Sequence, residues 1–265
     1  MKILLTNDDG VTSQGIQTLS KAMGEKDRLM GVIAPDRERS GMGHAVTVDR
    51  PVRVRPLDPG MFASGVPAFS CDGTPSDCVT IGLDVLFPSA DFVVSGINDG
   101  PNLSDDVTIS GTVSAAMEGI MSGRSAIAVS LCVKRGENFR HYTTAALAAM
   151  AVIEHIEANP LPKGIMLNVN VPNALIKNIK GFKITFRGVR KYLDRVTSIK
   201  TPFGGDAYWI AGKPQETEEE GTDVSAVNEG YISVTPLQLD LTQYDVLVEM
   251  QSQEMDKKLA HSLRL

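Results

Sequence analysis

Lys2-Ile3-Leu4-Leu5-Thr6-Asn7-Asp8-Asp9-Gly10 is the stretch on which the reading of the fold turns. Its apolar burst, Lys2–Leu5, reads as a buried strand, and Asn7-Asp8-Asp9-Gly10 reads as the turn that ends it. Ile16, Leu19 and Met23 then recur at helical spacing, with Gly24 as a stop. Leu29–Ala34 is a second buried strand closed by Pro35, followed by the glycine-punctuated polar loop Asp36–Gly43. Strand, helix, strand in that order is the opening of a parallel sheet.

The alternation continues outward from there. Ala45–Arg55 alternates apolar and charged residues and predicts a half-exposed ribbon. Thr74-Pro75 supplies an N-cap oxygen and a proline at the first helical position, predicting a buried helix through Leu86. Asp91–Val94 is a further strand, Ser95–Ser110 a long polar loop, Gly111–Met121 a helix rich in small residues, and Ala126–Cys132 another strand. Beyond about residue 135 the pattern changes. A helix at Tyr142–Glu157 precedes strand-like runs at Ile165–Val171, Lys183–Arg187, Ala207–Ala211 and Tyr231–Leu237. The acidic Thr217–Glu220 reads as part of a solvated loop, and Tyr244–Leu259 as a polar helix with a thin apolar stripe. The expected class is α/β: one unit over residues 1–265, with a doubly wound, mostly parallel sheet. Its first half, about 1–135, carries the binding loops; about 136–265 completes the core and adds a β-rich and helical extension.

Composition narrows the function. With 42% apolar and 22% charged residues the chain has the make-up of a globular protein. A net charge of −6 argues against coating a nucleic-acid polymer. An acidic protein that handles phosphates must gather positive charge locally, and a bound metal is one way. No apolar run approaches the roughly 20 residues needed to span a bilayer, and a first strand that begins at Met1 leaves no room for a signal peptide. Cys71, Cys78 and Cys132 are odd in number and lack zinc-site spacing, so they read as free thiols in a reducing cytoplasm.

In an open parallel sheet ligands bind beyond the carboxyl ends of the strands. Three polar loops fall at such ends: Asn7–Gly10, Asp36–Gly43 and Ser95–Ser110. Asp8 and Asp9 repel one another unless a cation or proton neutralises them, so the pair reads as ligands of a hard cation or as a turn that uses Gly10 for a positive φ. Ser40 and Asn98 offer neutral oxygens, or serve as turn residues. Ser110-Gly111-Thr112 opens a helix, where free N–H groups favour an anion or are met by an N-cap. Of the four histidines only His44 borders one of these loops. The chain has no Gly-x-Gly-x-x-Gly after the first strand, no Gly-Lys-Ser/Thr loop and no Gly-x-Ser-x-Gly elbow.

Taken together, the loops resemble the survival protein SurE family of metal-dependent 5'/3'-nucleotidases. The resemblance is carried by Ile3–Gly10, Ala34-Pro35-Asp36 with Ser40-Gly41, and Gly73-Thr74-Pro75 with Asp77-Cys78-Val79. It continues through Ser95-Gly96-Ile97-Asn98, Gly100 with Asn102, Asp106-Val107, Ser110-Gly111-Thr112-Val113 and Tyr231–Leu237. It implies a Rossmann-like core, a C-terminal extension exchanged in dimer or tetramer contacts, and phosphatase activity on nucleoside monophosphates. It also implies one divalent cation per subunit, magnesium or manganese, held by Asp8, Asp9, Ser40 and Asn98. Asn102 and Ser110–Thr112 match residues that line the phosphate pocket; Asn7, Gly41 and His44 border the same loops. Ile109, Ser104 and Ser114 depart from the family pattern, and none of them is a metal position. Asp8 is the candidate general base, with direct attack on phosphorus as the competing role. A non-catalytic nucleotide sensor built on the same loops is the alternative reading.

Overall fold

Alternation along the first strand sends Ile3 and Leu5 to one face of a sheet and Leu4 to the other, and all three are fully buried. A strand buried on both faces needs helices on both, as parallel sheets require. The computed structural model describes residues 1–134, 136–193, 196–210, 212–216 and 219–264. In chain order, β1 (Ile3–Thr6), α1 (Gln14–Gly24), β2 (Leu29–Pro35), β3 (Val54–Pro56), β4 (Ala68–Cys71), α2 (Pro75–Ile81) and β5 (Phe92–Asp99) make the first half. Next come α3 (Gly111–Met121), β6 (Ser125–Cys132), α4 (Tyr142–Ala158), β7 (Ile165–Pro172) and β8 (Phe182–Ile184). The arms β9 (Arg190–Leu193), β10 (Val196–Lys200), β11 (Asp206–Ile210) and β12 (Lys213–Glu216) precede α5 (Asp223–Asn228), β13 (Ile232–Gln238), α6 (Tyr244–Ser252) and α7 (Met255–Ser262).

The described residues form a nine-stranded sheet in the order β3-β4-β2-β1-β5-β6-β7-β13-β8. Strands β4, β2, β1, β5, β6 and β7 run parallel; β3 and β13 each pair antiparallel with their neighbours β4 and β7. Chain order reverses between β1 and β5, so their carboxyl ends open the crevice where a doubly wound sheet binds its ligand. Helices α1 and α4 cover one face, where Ile16, Leu19 and Ile153 meet Phe92, Val94 and Ile127. Helices α2 and α3 cover the other, where Val79, Val113 and Ala116 meet Leu4, Ile33 and Val93. The Thr74 cap forms as the sequence predicts, a capping box in which Thr74 and Asp77 satisfy each other's backbone N–H groups.

Several expectations change. Ala45–Arg55 forms no ribbon: only Val54–Pro56 pairs, because Val48 is 89% exposed and has no face to pack against. Ala68–Cys71 is a strand the pattern did not reveal. Strand β5 runs four residues past Ser95 to Asp99, shortening the expected loop. Lys183–Arg187 reduces to Phe182–Ile184, and the terminal helix splits in two at Glu254, whose φ is +50°. Position 211 of the expected 207–211 strand, and positions 217 and 218 of the acidic loop, lie outside the described residues.

Leu4→Ala should lower unfolding free energy by about 2–5 kcal/mol. Val48→Ala should stay within about 0.5 kcal/mol. Equilibrium urea unfolding checks both.

Candidate functional site

Gly10 turns the chain after β1 at φ +93°, with the Arg37 backbone 3.0 Å from where a Cβ would stand. That turn leaves Asp8 buried, 3% exposed, under the first turn of α3. The Thr112 hydroxyl donates to Asp8 Oδ1. Gly111 makes the seat possible, since any Cβ there would lie 2.9 Å from the carboxylate. Part of the donor set at this helix start is thus spent on Asp8. Ser110 acts as the N-cap, accepting from Val113 N–H at 3.1 Å.

Asp9 points into a cavity of about 350 Å³ lined also by Ser13, Gln14, Glu38, Ser40, Asn98, Asp99 and Tyr142. Three of the four residues the resemblance assigns to a cation therefore share one wall, and Asp8 lies against them. Asp9 Oδ2 accepts from the Asp99 N–H at 2.9 Å. Asn98 donates its amide to Gly100 O at 2.9 Å, which leaves its Oδ1 3.2 Å from Thr112 Oγ1. The single Thr112 proton cannot serve both Asp8 and Asn98, so acceptors outnumber donors here.

The electrostatics agree. Burial raises the Asp8 carboxyl above the usual carboxylate range, and burial together with the Asp8 charge pushes Asp9 up to about 7. Among the described residues no three His, Cys, Asp or Glu side chains group as metal ligands. The donor set is two carboxylates with neutral amide and hydroxyl oxygens, a set suited to a hard divalent cation. The residues present fit such an ion.

The loop that carries Ser40 has no regular structure and is held by backbone and side-chain hydrogen bonds to its neighbours. Arg39 N–H donates to the Asp8 carbonyl at 2.7 Å, and Gly43 N–H to the Ile109 carbonyl at 2.9 Å. Thr74 Oγ1 donates to the Ala45 carbonyl, and Thr47 donates through N–H and hydroxyl to Asp77. His44 Nε2 meets Glu118 Oε2 at 2.9 Å, so its ring is a tether to α3 and is not among the cavity's lining residues. Ser40 donates to Glu38 at 2.9 Å, and Gly41 is exposed at φ +72°. Asn7 is buried and donates to Gly10 O and Ser13 Oγ, fixing the turn. Asn102 is also buried, donating to Ser130 Oγ while its carbonyl accepts from Asn168 and Asn170.

Glu38, Asp99, Tyr142, Ser13 and Gln14 were not singled out from the sequence. Glu38 and Asp99 flank Ser40 and Asn98 closely enough to be found by neighbourhood. Tyr142 enters only because α4 packs beside α1; burial and the nearby Asp99 and Asp9 push its phenol up to about 12, so it stays a neutral donor.

The family model described as "Survival protein SurE" matches residues 3–194. A 5'-nucleotidase SurE of Stenotrophomonas maltophilia is 44% identical over 255 residues, covering 95% of each chain. A 5'/3'-nucleotidase SurE of Photorhabdus laumondii is 45% identical over 247 residues, covering 92% of each. The crystal structure of the SurE protein from Aquifex aeolicus superposes with a TM-score of 0.80 at 40% identity, covering 96% of this chain and all of that one.

The carboxylate pair sets a pH dependence of the metal-free fold. Asp9 at about 7 lies above the roughly 4 of an unfolded aspartate, so the fold holds a proton that the unfolded chain releases. Stability linked to it is present at low pH and lost as pH rises through 7. Metal-free protein should melt at a lower temperature at pH 8 than at pH 6, and Asp9→Asn should flatten that difference in a calorimetric scan.

Proposed function

Because the chain belongs to the SurE survival-protein family, we propose that it is a divalent-metal-dependent phosphomonoesterase that hydrolyses nucleoside 5'-monophosphates, and 3'-monophosphates as well. The observation that carries this reading is the surplus of oxygen acceptors and buried negative charge around Asp8, Asp9 and Asn98 at the sheet's switch point. Asp8, Asp9, Ser40 and Asn98 would hold the cation. When bound, a magnesium or manganese ion supplies Lewis-acid polarisation of the phosphate and an acidified water.

The chain's own groups do the rest. Asp8, oriented by the Thr112 hydroxyl, takes the proton of the attacking water as general base. The amides of Gly41 and Gly111 let the backbone approach a phosphate oxygen closely. Ser110 holds the start of α3 in register beneath that position. Tyr142 and Gln14 add neutral polar groups to the cavity wall.

Self-association belongs to the same reading. Helices α6 and α7 bury no residue, and they leave Leu247, Val248, Met250 and Leu259 exposed. A groove of about 450 Å³ lined by Leu167, Phe182, Ile184, Val234 and Pro236 is open beside β13. An unpartnered apolar stripe and an open apolar groove in one chain support a homodimer or homotetramer. No described helix is long and apolar enough to cross a membrane, and three buried free thiols support a reducing, cytoplasmic setting.

Released phosphate, read colorimetrically with nucleoside monophosphates and manganese, tests the activity; tight nucleotide binding without release would instead make the chain a sensor. Asp8→Asn and Asp9→Asn should each lower turnover by at least ~100-fold, the scale of a lost ligand charge or base. EDTA should silence the enzyme and manganese restore it; near-normal turnover in both variants would remove the metal assignment. Light scattering should give a multiple of 28.5 kDa, falling to that mass when residues 240–265 are deleted.

A further inference from the structure

We propose that Arg140 is a substrate-recognition residue, meeting the phosphate dianion at the mouth of the Asp9 cavity. The inference rests on the phosphomonoesterase reading for the identity of its ligand. Its ground is charge. Among the described residues the cavity is lined by the carboxylates of Asp9, Glu38 and Asp99 and by neutral side chains, without a basic one, and Asp8 lies beneath. One divalent cation brings two positive charges against four carboxylates. A phosphomonoester carries about two negative charges above its second pKa of roughly 6, so substrate would approach a site that remains negative.

Arg140 is placed to correct this. Its Nε donates to Asp99 Oδ1 at 2.6 Å, and Nη1 donates to the Glu137 carbonyl at 2.5 Å. The Asp99 N–H in turn donates to Asp9 Oδ2, so the guanidinium stands one residue away from a proposed metal ligand. Those two bonds use two of the five donors of the guanidinium fork. The side chain keeps 29% of its surface open, so donors remain for an incoming oxyanion. Its mounting is unlike that of an ordinary surface arginine. Asn173 donates to Glu137 Oε2 and to the Phe139 carbonyl, and accepts from the His141 N–H, fixing the backbone on both sides of Arg140. Lys134 N–H completes the Glu137 contacts. A post built from Asn173 and Glu137 therefore holds a planar cation against the wall of the site, the geometry in which arginine recognises phosphate.

A plain surface ion pair would contribute little and would touch neither substrate nor product. The test separates the two roles. In the full-length protein with manganese, Arg140→Ala should raise KM for a nucleoside monophosphate about tenfold, the effect of one lost charge-assisted contact. Turnover at saturation should stay within about twofold. The dissociation constant of inorganic phosphate, measured by calorimetry with manganese present, should rise in parallel, and Arg140→Lys should recover most of both losses. Unchanged KM and phosphate affinity, or a fall in kcat with KM unchanged, would overturn the proposal. Should Arg140→Ala fail to fold by circular dichroism, Arg140→Gln takes its place, and Lys performing no better than Gln would overturn it equally. A wild-type chain that binds phosphate but releases none from monoesters would defeat the phosphatase reading alone, because phosphate affinity is read without turnover.

Discussion

Two adjacent carboxylates brought to the end of a buried strand are the constraint from which the rest of the site follows. Asp8 could not occupy its place without help: it is buried, next to a second carboxylate, and without a basic partner among the described residues. The fold answers with dipoles. The start of α3 offers the Thr112 hydroxyl, and Gly111 removes the one atom that would collide. Asp9 receives less, one N–H from Asp99, and its carboxyl is driven to about 7. What the dipoles leave uncompensated is negative charge and acceptor oxygen at the cavity wall.

That constraint explains why three separate loops are fixed so carefully. The Ser40 loop has no ladder hydrogen bonds of its own, and it is held by Arg39 on Asp8, Gly43 on Ile109, His44 on Glu118 and Thr47 on Asp77. Asn98 lies near the carboxyl end of β5 itself, and Gly96 lets that strand pass the Val129 carbonyl, which would stand 2.4 Å from a Cβ. Asn102 then pins the following segment to Ser130, Asn168 and Asn170. Several polar residues beside the cavity are struts for the segments that line it. The core beneath is close-packed and apolar on both faces of the sheet. The arms and terminal helices contrast with it, since they expose Trp209, Tyr208 and Leu247.

Features governed by neighbours in sequence were legible beforehand. The buried strand at Ile3–Thr6, the positive φ of Gly10 and the capping box at Thr74 and Asp77 all depend on residues within a few positions. Long-range dependence made the failures. Ala45–Arg55 has the alternation of a strand but lacks a partner over most of its length, so side-chain tethers replaced the ladder. Ala68–Cys71 has no alternation worth noticing, yet it pairs because β2 presents a free edge beside it. Asn102 and His44 take their hydrogen-bond partners, Ser130 and Glu118, from far along the chain, which local pattern does not reveal.

By itself the sequence determined the family, the α/β class and the order of the loops that meet at the switch point, because these are written in local periodicity and in short strings of residue types. The tertiary structure alone decided which polar groups face the cavity and which are struts, and that Asp8 sits on the start of α3. It also decided that Glu38, Asp99 and Tyr142 share the wall with Asp9. Burial and charge at a point depend on every chain segment that reaches it, and those segments lie as far apart as Asp9 and Tyr142.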